Sequence, residues 1–209
     1  MKQWWAVPGE NGAVPELRDV QVPTPGFGEV LVRMTGAGVN RGELMFNRVL
    51  RTDNPKAHAV RSGIEIAGVI ETLGDGVDYW SVGDRVMARG VACHAEAALI
   101  DAGALMPSPV ELSDVEAAAI PNVFVTAHDA IVTVAGVTAE DKVLITAGSS
   151  GVGTAAIQIV KHLGATAIAT TRSPAKAAAL VDLGADHVAD TSSPDWLSSM
   201  VDQIGPVTC

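Results

Sequence analysis

Residues 143–163, VLITAGSSGVGTAAIQIVKHL, constrain this chain more than any other stretch. An unbroken apolar run, VLITA (143–147), passes directly into the small-residue turn AGSSGVG (147–153) and then into a segment of helical period. A strand apolar at every position must be covered on both faces, as strands of parallel sheets are. Residues 151–163 read as a helix, with Val152, Ala156, Ile159, Val160 and Leu163 on its apolar side. Gly164 supplies a left-handed stop. A strand, tight turn and helix of this kind form one unit of a parallel α/β layer.

The same alternation continues to the last residue. Residues 166–171 (TAIATT) form a second strand, Ser173 caps the next helix with Pro174 at its first position, and Gly184 ends it. Residues 187–189 form a short third strand; Ser193 and Pro194 open a last helix that Gly205 closes. The order β-α-β-α-β-α is the first half of a doubly wound fold. Before residue 120 the texture differs: short β-branched runs separated by Gly, Pro and Asp. Residues 28–40 place Val30, Val32 and Met34 on one strand face, and residues 64–73, 85–88 and 95–100 are further strands. Such spacing suggests a small barrel or curled sheet. Ser113-Asp114-Val115-Glu116 is a capping box, and residues 122–135 form a helix ending at Gly136. The fold class is therefore α/β, with a β-rich domain at 1–121 and a partial doubly wound parallel sheet at 122–209.

The glycine-rich turn carries the clearest chemistry. Small residues let a backbone approach a pyrophosphate, and the helix that follows offers free N–H groups and its positive dipole end. The candidate phosphate contacts are Ala147, Gly148, Ser149, Ser150, Gly151, Val152 and Gly153. In G-x-G-x-x-G terms Gly148 and Gly153 fit, and Ser150 stands at the middle glycine. A tight turn with no ligand is the plain alternative; the buried strand before and amphipathic helix after favour a dinucleotide. An acid at the end of the second strand would bind the ribose 2′-hydroxyl of NAD. Here the sequence is Thr171-Arg172-Ser173, with Lys176 one turn on. Guanidinium and ammonium groups suit a 2′-phosphate, so the expected cofactor is NADPH.

A formal net charge of −10 argues against nucleic acid or an anionic membrane as a partner. No apolar run has membrane-spanning length, and the opening MKQWWAVPGENG lacks the apolar core of a secretory signal, so a cytoplasmic location is expected. Cys93 and Cys209 are the only cysteines, too few for a disulfide framework or a closed structural zinc site.

Several segments taken together resemble the medium-chain dehydrogenase/reductase superfamily, and within it the zinc-free quinone oxidoreductases. They are VPTPGFGEVLVRMTGAGVN (22–40), GIEIAGVIETLGDGV (63–77), VGDRV (82–86), LSDVEAAAIPNVFVTAHDAI (112–131) and AGSSGVGTAAIQIVKHLGA (147–165). The resemblance implies a GroES-like catalytic domain, then a Rossmann domain, with the active site in the cleft between them. It also implies hydride delivery from NADPH to a small molecule, a quinone or an α,β-unsaturated carbonyl. Zinc-dependent relatives place a Cys at the position of Asn40 and a His at that of Ile64. Neither residue here supplies a zinc ligand, which sets a zinc-type alcohol dehydrogenase behind the metal-free reading. By the same resemblance Asn40 faces the nicotinamide ribose or the substrate oxygen, Glu43 takes the place of a common Asp, and Thr126 meets the cofactor. Arg48 either lines the cleft mouth or is a plain exposed arginine, and Met45 and Thr191 stand where many such reductases carry Tyr. Similar enzymes continue past the point corresponding to Cys209, so this chain is C-terminally short beside them. Two other readings follow: an NADPH-binding module without turnover, and an inactive chain that assembles with another chain or as a homo-oligomer.

Overall fold

The computed structural model describes residues 1–46 and 49–209, and only the backbone of residues 44–46. The expectation at Arg48 lies outside the described residues, and that at Met45 concerns a side chain outside the description. The chain divides into two compact units, Met1–Asn122 and Val123–Cys209.

The first unit holds β1 (Lys2–Val7), β2 (Val14–Asp19), β3 (Glu29–Ala37), α1 (Arg41–Phe46), β4 (Val60–Arg61), β5 (Glu65–Leu73), β6 (Arg85–Arg89), β7 (Ala97–Asp101), β8 (Leu105–Pro107) and α2 (Asp114–Ala117). A five-stranded antiparallel sheet runs β7-β3-β5-β6-β8, and a three-stranded one runs β2-β1-β4. The expected face of Val30, Val32 and Met34 packs with Ile66, Ile70, Val86 and Ile100. Register shifts at Leu31/Val32 and Met34/Gly36 bulge β3 against β5, which curls the sheet. The other face is covered by α2, whose Ala117 and Ala118 meet Ala67 and Met87. Both halves of the Ser113–Glu116 capping box form. Arg85 and Asp114 tie α2 to β6 through an ion pair of 2.6 Å.

The second unit holds α3 (Pro121–His128, whose first two residues belong to the first unit), β9 (Lys142–Ile145), α4 (Gly151–His162), β10 (Thr166–Thr171), α5 (Ala177–Asp182), β11 (His187–Asp190) and α6 (Trp196–Ile204). Three parallel strands are ordered β11-β10-β9. On the outer side of β9, the Leu144 N–H donates to the Cys209 carbonyl at 2.8 Å and the Thr208 N–H to that of Lys142 at 3.0 Å. The chain thus crosses from β11, at one edge, to the far side of β9. This reversal of strand order is the topological switch point beside which doubly wound sheets bind ligands.

Some boundaries differ from the sequence expectation. The helix expected over 122–135 starts at Pro121 and passes at Asp129 into a π-helical turn that runs to Val134. The last helix begins at Trp196, because Ser193 and Pro194 lie in a turn and Asp195 takes the cap position. Ser173 occupies a cap position but its side chain makes no capping bond; a single 3-10 turn, Pro174–Lys176, intervenes before α5. On α4 the buried positions are Gly153, Ala155, Ala156, Ile157 and Val160; Val152, expected on the apolar side, is 38% exposed. Among the described residues no helix is long and apolar enough to cross a membrane.

Candidate functional site

The turn between β9 and α4 is set by packing that admits no larger side chains. A Cβ on Gly153 would lie 2.6 Å from the Ala147 carbonyl oxygen and 2.7 Å from Gly148 Cα, both backbone atoms that cannot yield. One on Gly148 would meet Ala169 Cβ at 2.8 Å. These glycines hold helix and strand in direct contact, the spacing a phosphate-binding turn needs. Ser150 is the helix cap: its Oγ accepts the Gly153 N–H at 3.1 Å. A serine at the middle glycine position therefore fixes the start of the helix whose N-terminus faces the turn. Ala147 holds φ +51°, a left-handed conformation costly for a residue with a Cβ. Thr170 pins it in place: the Ala147 N–H donates to the Thr170 hydroxyl at 3.1 Å, and the Gly148 N–H to the Thr170 carbonyl at 2.8 Å. Thr170 is buried, and nothing in the sequence reading singled it out. Ser149 is half-buried, while Gly151 and Val152 are exposed at the first turn of α4.

At the end of β10, Thr171 is buried and its hydroxyl accepts the Ser173 N–H at 3.1 Å. Its side chain holds the bend that presents Arg172. Arg172 and Lys176 are both exposed, and among the described residues neither side chain forms an ion pair or hydrogen bond. Two side-chain cations without an internal partner thus follow the end of β10. The sequence reading noted that β10 brings no acid; β11 brings one beside it, Asp190, in register with Thr171. The Asp190 carboxylate is occupied by the Ser192 N–H at 2.9 Å and Ser192 Oγ at 2.7 Å, bonds that hold its pKa below the ordinary value.

In the first unit, Asn40 and Glu43 come together at the start of α1. The Glu43 carboxylate accepts the Asn40 N–H at 2.7 Å and the Gly63 N–H at 3.1 Å. Glu43 thus clamps backbone from two loops, and both its oxygens are engaged in doing so. The Asn40 side chain meets a buried carboxylate missed in the sequence. Its Nδ2 donates to Glu65 Oε1 at 2.6 Å, and its Oδ1 accepts from Asn122 Nδ2 at 2.7 Å. The second Glu65 oxygen accepts the Asn122 backbone N–H at 2.8 Å. The only signal for Glu65 was a charged residue opening the apolar strand EIAGVI, against the pattern of its neighbours.

Cys93 and His94 do not behave as a ligand pair. Cys93 is fully buried, and burial, then the charges of Glu43 and Glu65, push its thiol up to about 12. Both His94 ring nitrogens are engaged, Nδ1 with Ser62 Oγ at 2.8 Å and Nε2 with the Gly38 carbonyl at 3.0 Å. Among the described residues, no three His, Cys, Asp or Glu are grouped as a metal site would need. Thr126 lies exposed on α3 in the second unit.

Two family models match the chain: the alcohol dehydrogenase GroES-like domain over residues 26–107, and the zinc-binding dehydrogenase domain over residues 151–207. Among solved structures, the CurK enoyl reductase is 27% identical with a TM-score of 0.87, covering 97% of this chain and 63% of its own. An NAD-dependent alcohol dehydrogenase is 31% identical, TM-score 0.84, over 98% of this chain and 68% of its own. A mycobacterial protein solved in complex with NADPH is 30% identical, TM-score 0.84, over 98% and 64%. The spectinabilin polyketide synthase system protein NorB of Streptomyces orinoci is 37% identical over 180 residues. The match takes in 83% of this chain and only 8% of that protein, so the chain spans a small part of the curated relative.

Proposed function

The chain belongs to the medium-chain dehydrogenase/reductase superfamily, and on that premise we propose that it is a zinc-independent, NADPH-dependent oxidoreductase of quinones or α,β-unsaturated carbonyls. The single observation that carries the cofactor reading is the glycine cradle: Gly148 and Gly153 pack so closely that a Cβ on either would strike its neighbours. The similarity to a protein solved with NADPH supports it, as do the unpaired cations Arg172 and Lys176. In this reading Ala147, Gly148, Ser149, Ser150, Gly151, Val152 and Gly153 receive the pyrophosphate. Arg172 and Lys176 take the 2′-phosphate, with Thr171 and Ser173 shaping their turn. When bound, NADPH supplies the hydride.

The side chains of the first unit orient and polarise rather than ligate metal. Asn40 and Ile64 stand where zinc relatives carry Cys and His, and Asn40 instead offers an amide. Glu43 holds the backbone of Asn40, so its role in this reading is positioning. Thr126 is assigned to the cofactor side. The similarity to the CurK enoyl reductase supports an enone as one acceptor class. The protein is proposed to act on a small molecule in the cytoplasm, and self-association is an outcome open to measurement.

The test is loss of nicotinamide absorbance when the protein is mixed with NADPH and either a benzoquinone or a short enone. Turnover with NADPH exceeding that with NADH supports the proposal. Binding of NADPH with no turnover on either acceptor would favour the regulatory module. Turnover that requires added zinc would favour the zinc-type reading.

A further inference from the structure

Asn40 could present its amide in either of two orientations, and the residues around it select one. Glu65 is 3% exposed, and its two carboxylate oxygens accept from Asn40 Nδ2 and from the Asn122 backbone N–H. An ionised carboxylate only accepts hydrogen bonds. Were the Asn40 amide turned over, its oxygen would face the Glu65 carboxylate and its NH2 would face the NH2 of Asn122. Both contacts would be repulsive inside a partly buried site, where unpaired polar groups are costly. The fit is tight enough that Gly38 must lack a side chain, because a Cβ there would overlap Glu65 Oε1. Glu43 fixes the Asn40 backbone independently, through its N–H.

We propose that Glu65 is a positioning residue that sets the polarity of the Asn40 amide, so that Asn40 meets its ligand as a hydrogen-bond donor. Of the two N–H bonds on Asn40 Nδ2, one is spent on Glu65 and one remains. The carbonyl oxygen is spent on Asn122. The group that Asn40 contacts must then be an acceptor oxygen, such as a quinone or enone carbonyl or a ribose hydroxyl accepting through its lone pair. The hydrogen bond that Asn40 Oδ1 accepts from Asn122 also polarises the amide and strengthens the remaining N–H donor. This inference rests on the reductase reading for its catalytic consequence, but the amide orientation stands apart from it.

The experiment uses the whole chain labelled with nitrogen-15. The Asn40 side-chain NH2 resonances are identified by their loss in Asn40→Ala. In the wild type, one of the two protons is expected far downfield and slow to exchange with solvent. Glu65→Gln is expected to move that proton upfield and speed its exchange. The same variant should lower kcat for benzoquinone reduction by about 10-fold or more, the scale of one charge-assisted bond. In an Asn40→Ala background Glu65→Gln should cost nothing further. An unchanged Asn40 resonance in Glu65→Gln would overturn the proposal. So would an equal loss of kcat in both backgrounds, which would mark Glu65 as part of the scaffold only. Asn122→Ala covers the case in which Glu65→Gln does not fold: it leaves the carboxylate in place, so the protected proton must persist, and its loss would assign the orientation to Asn122. If the wild type reduces no quinone, the reductase reading fails while the resonances still decide the role of Glu65.

Discussion

The turn of the second unit and the polar cluster of the first reach order by opposite routes. The turn is contiguous: seven residues, 147–153, lie between a buried strand and a helix, and backbone contacts with the neighbouring strand fix their shape. The Asn40 cluster is assembled from four separated stretches, residues 38–43, 62–65, 93–94 and 122, joined by side-chain bonds to carboxylates. The first depends on the absence of side chains and the second on their charge. A contiguous cradle is sensitive to added volume and tolerant of pH. An assembled cluster is sensitive to loss of a single acceptor.

The largest effect should come from adding volume to the turn. Gly153→Ala pushes a methyl into backbone atoms of Ala147 and Gly148 in the same turn, so it should cost roughly 1–3 kcal/mol of stability and abolish any stabilisation by NADPH. Retained NADPH stabilisation, measured by thermal melting, would break the contrast between the two regions. Next in size is Arg172→Ala combined with Lys176→Ala. Loss of charge-assisted bonds worth about 1.5–3 kcal/mol each should weaken NADPH binding by at least about 10-fold and leave NADH binding unchanged. Equal loss for both cofactors would show that these cations do not read the 2′-phosphate. Ser150→Ala removes the cap of α4 and should lower the stability of the ligand-free protein by about 1 kcal/mol in urea unfolding. The smallest effect concerns pH. A hydrogen bond from Arg85, then one from Thr35, hold the Asp114 carboxyl below its usual 3.8. A lowered folded-state pKa contributes stability above the unfolded value, and that contribution is lost as pH falls through the folded one. Arg85→Ala should therefore flatten the acid end of the stability–pH curve and leave its shape near neutrality unchanged.

What was legible in the sequence follows the same divide. The parallel layer could be read because VLITA, TAIATT and the helix between them carry their period locally, and Gly164 (φ +80°) ends α4 as expected. The start of α6 was placed early because Ser-Pro is a common helix opening, whereas here those residues make a turn before the Asp195 cap. β1 was not anticipated: KQWWAV has no alternation, since its Trp4 is 44% exposed while Gln3 is buried. α1 was hidden because Gly42 interrupts a six-residue helix. Glycines of the turn were visible for their spacing, but Thr170, which pins the left-handed Ala147, was not, because a threonine in a strand has no distinctive pattern. Glu65 escaped for a related reason. Its partners lie 25 and 57 residues away, and only the fold brings them within hydrogen-bond reach.

The central claim is that the turn at residues 147–153 forms a working dinucleotide site that prefers NADPH. The most direct test is thermal melting of the purified 209-residue chain alone, with NADPH and with NADH. A ligand that binds only the folded state at ~100 times its dissociation constant adds roughly 2.7 kcal/mol. The account predicts a cooperative melt that rises clearly with NADPH, rises little with NADH, and loses its response in Gly153→Ala. A melt that neither cofactor shifts, or one that NADH raises as far as NADPH, would contradict it.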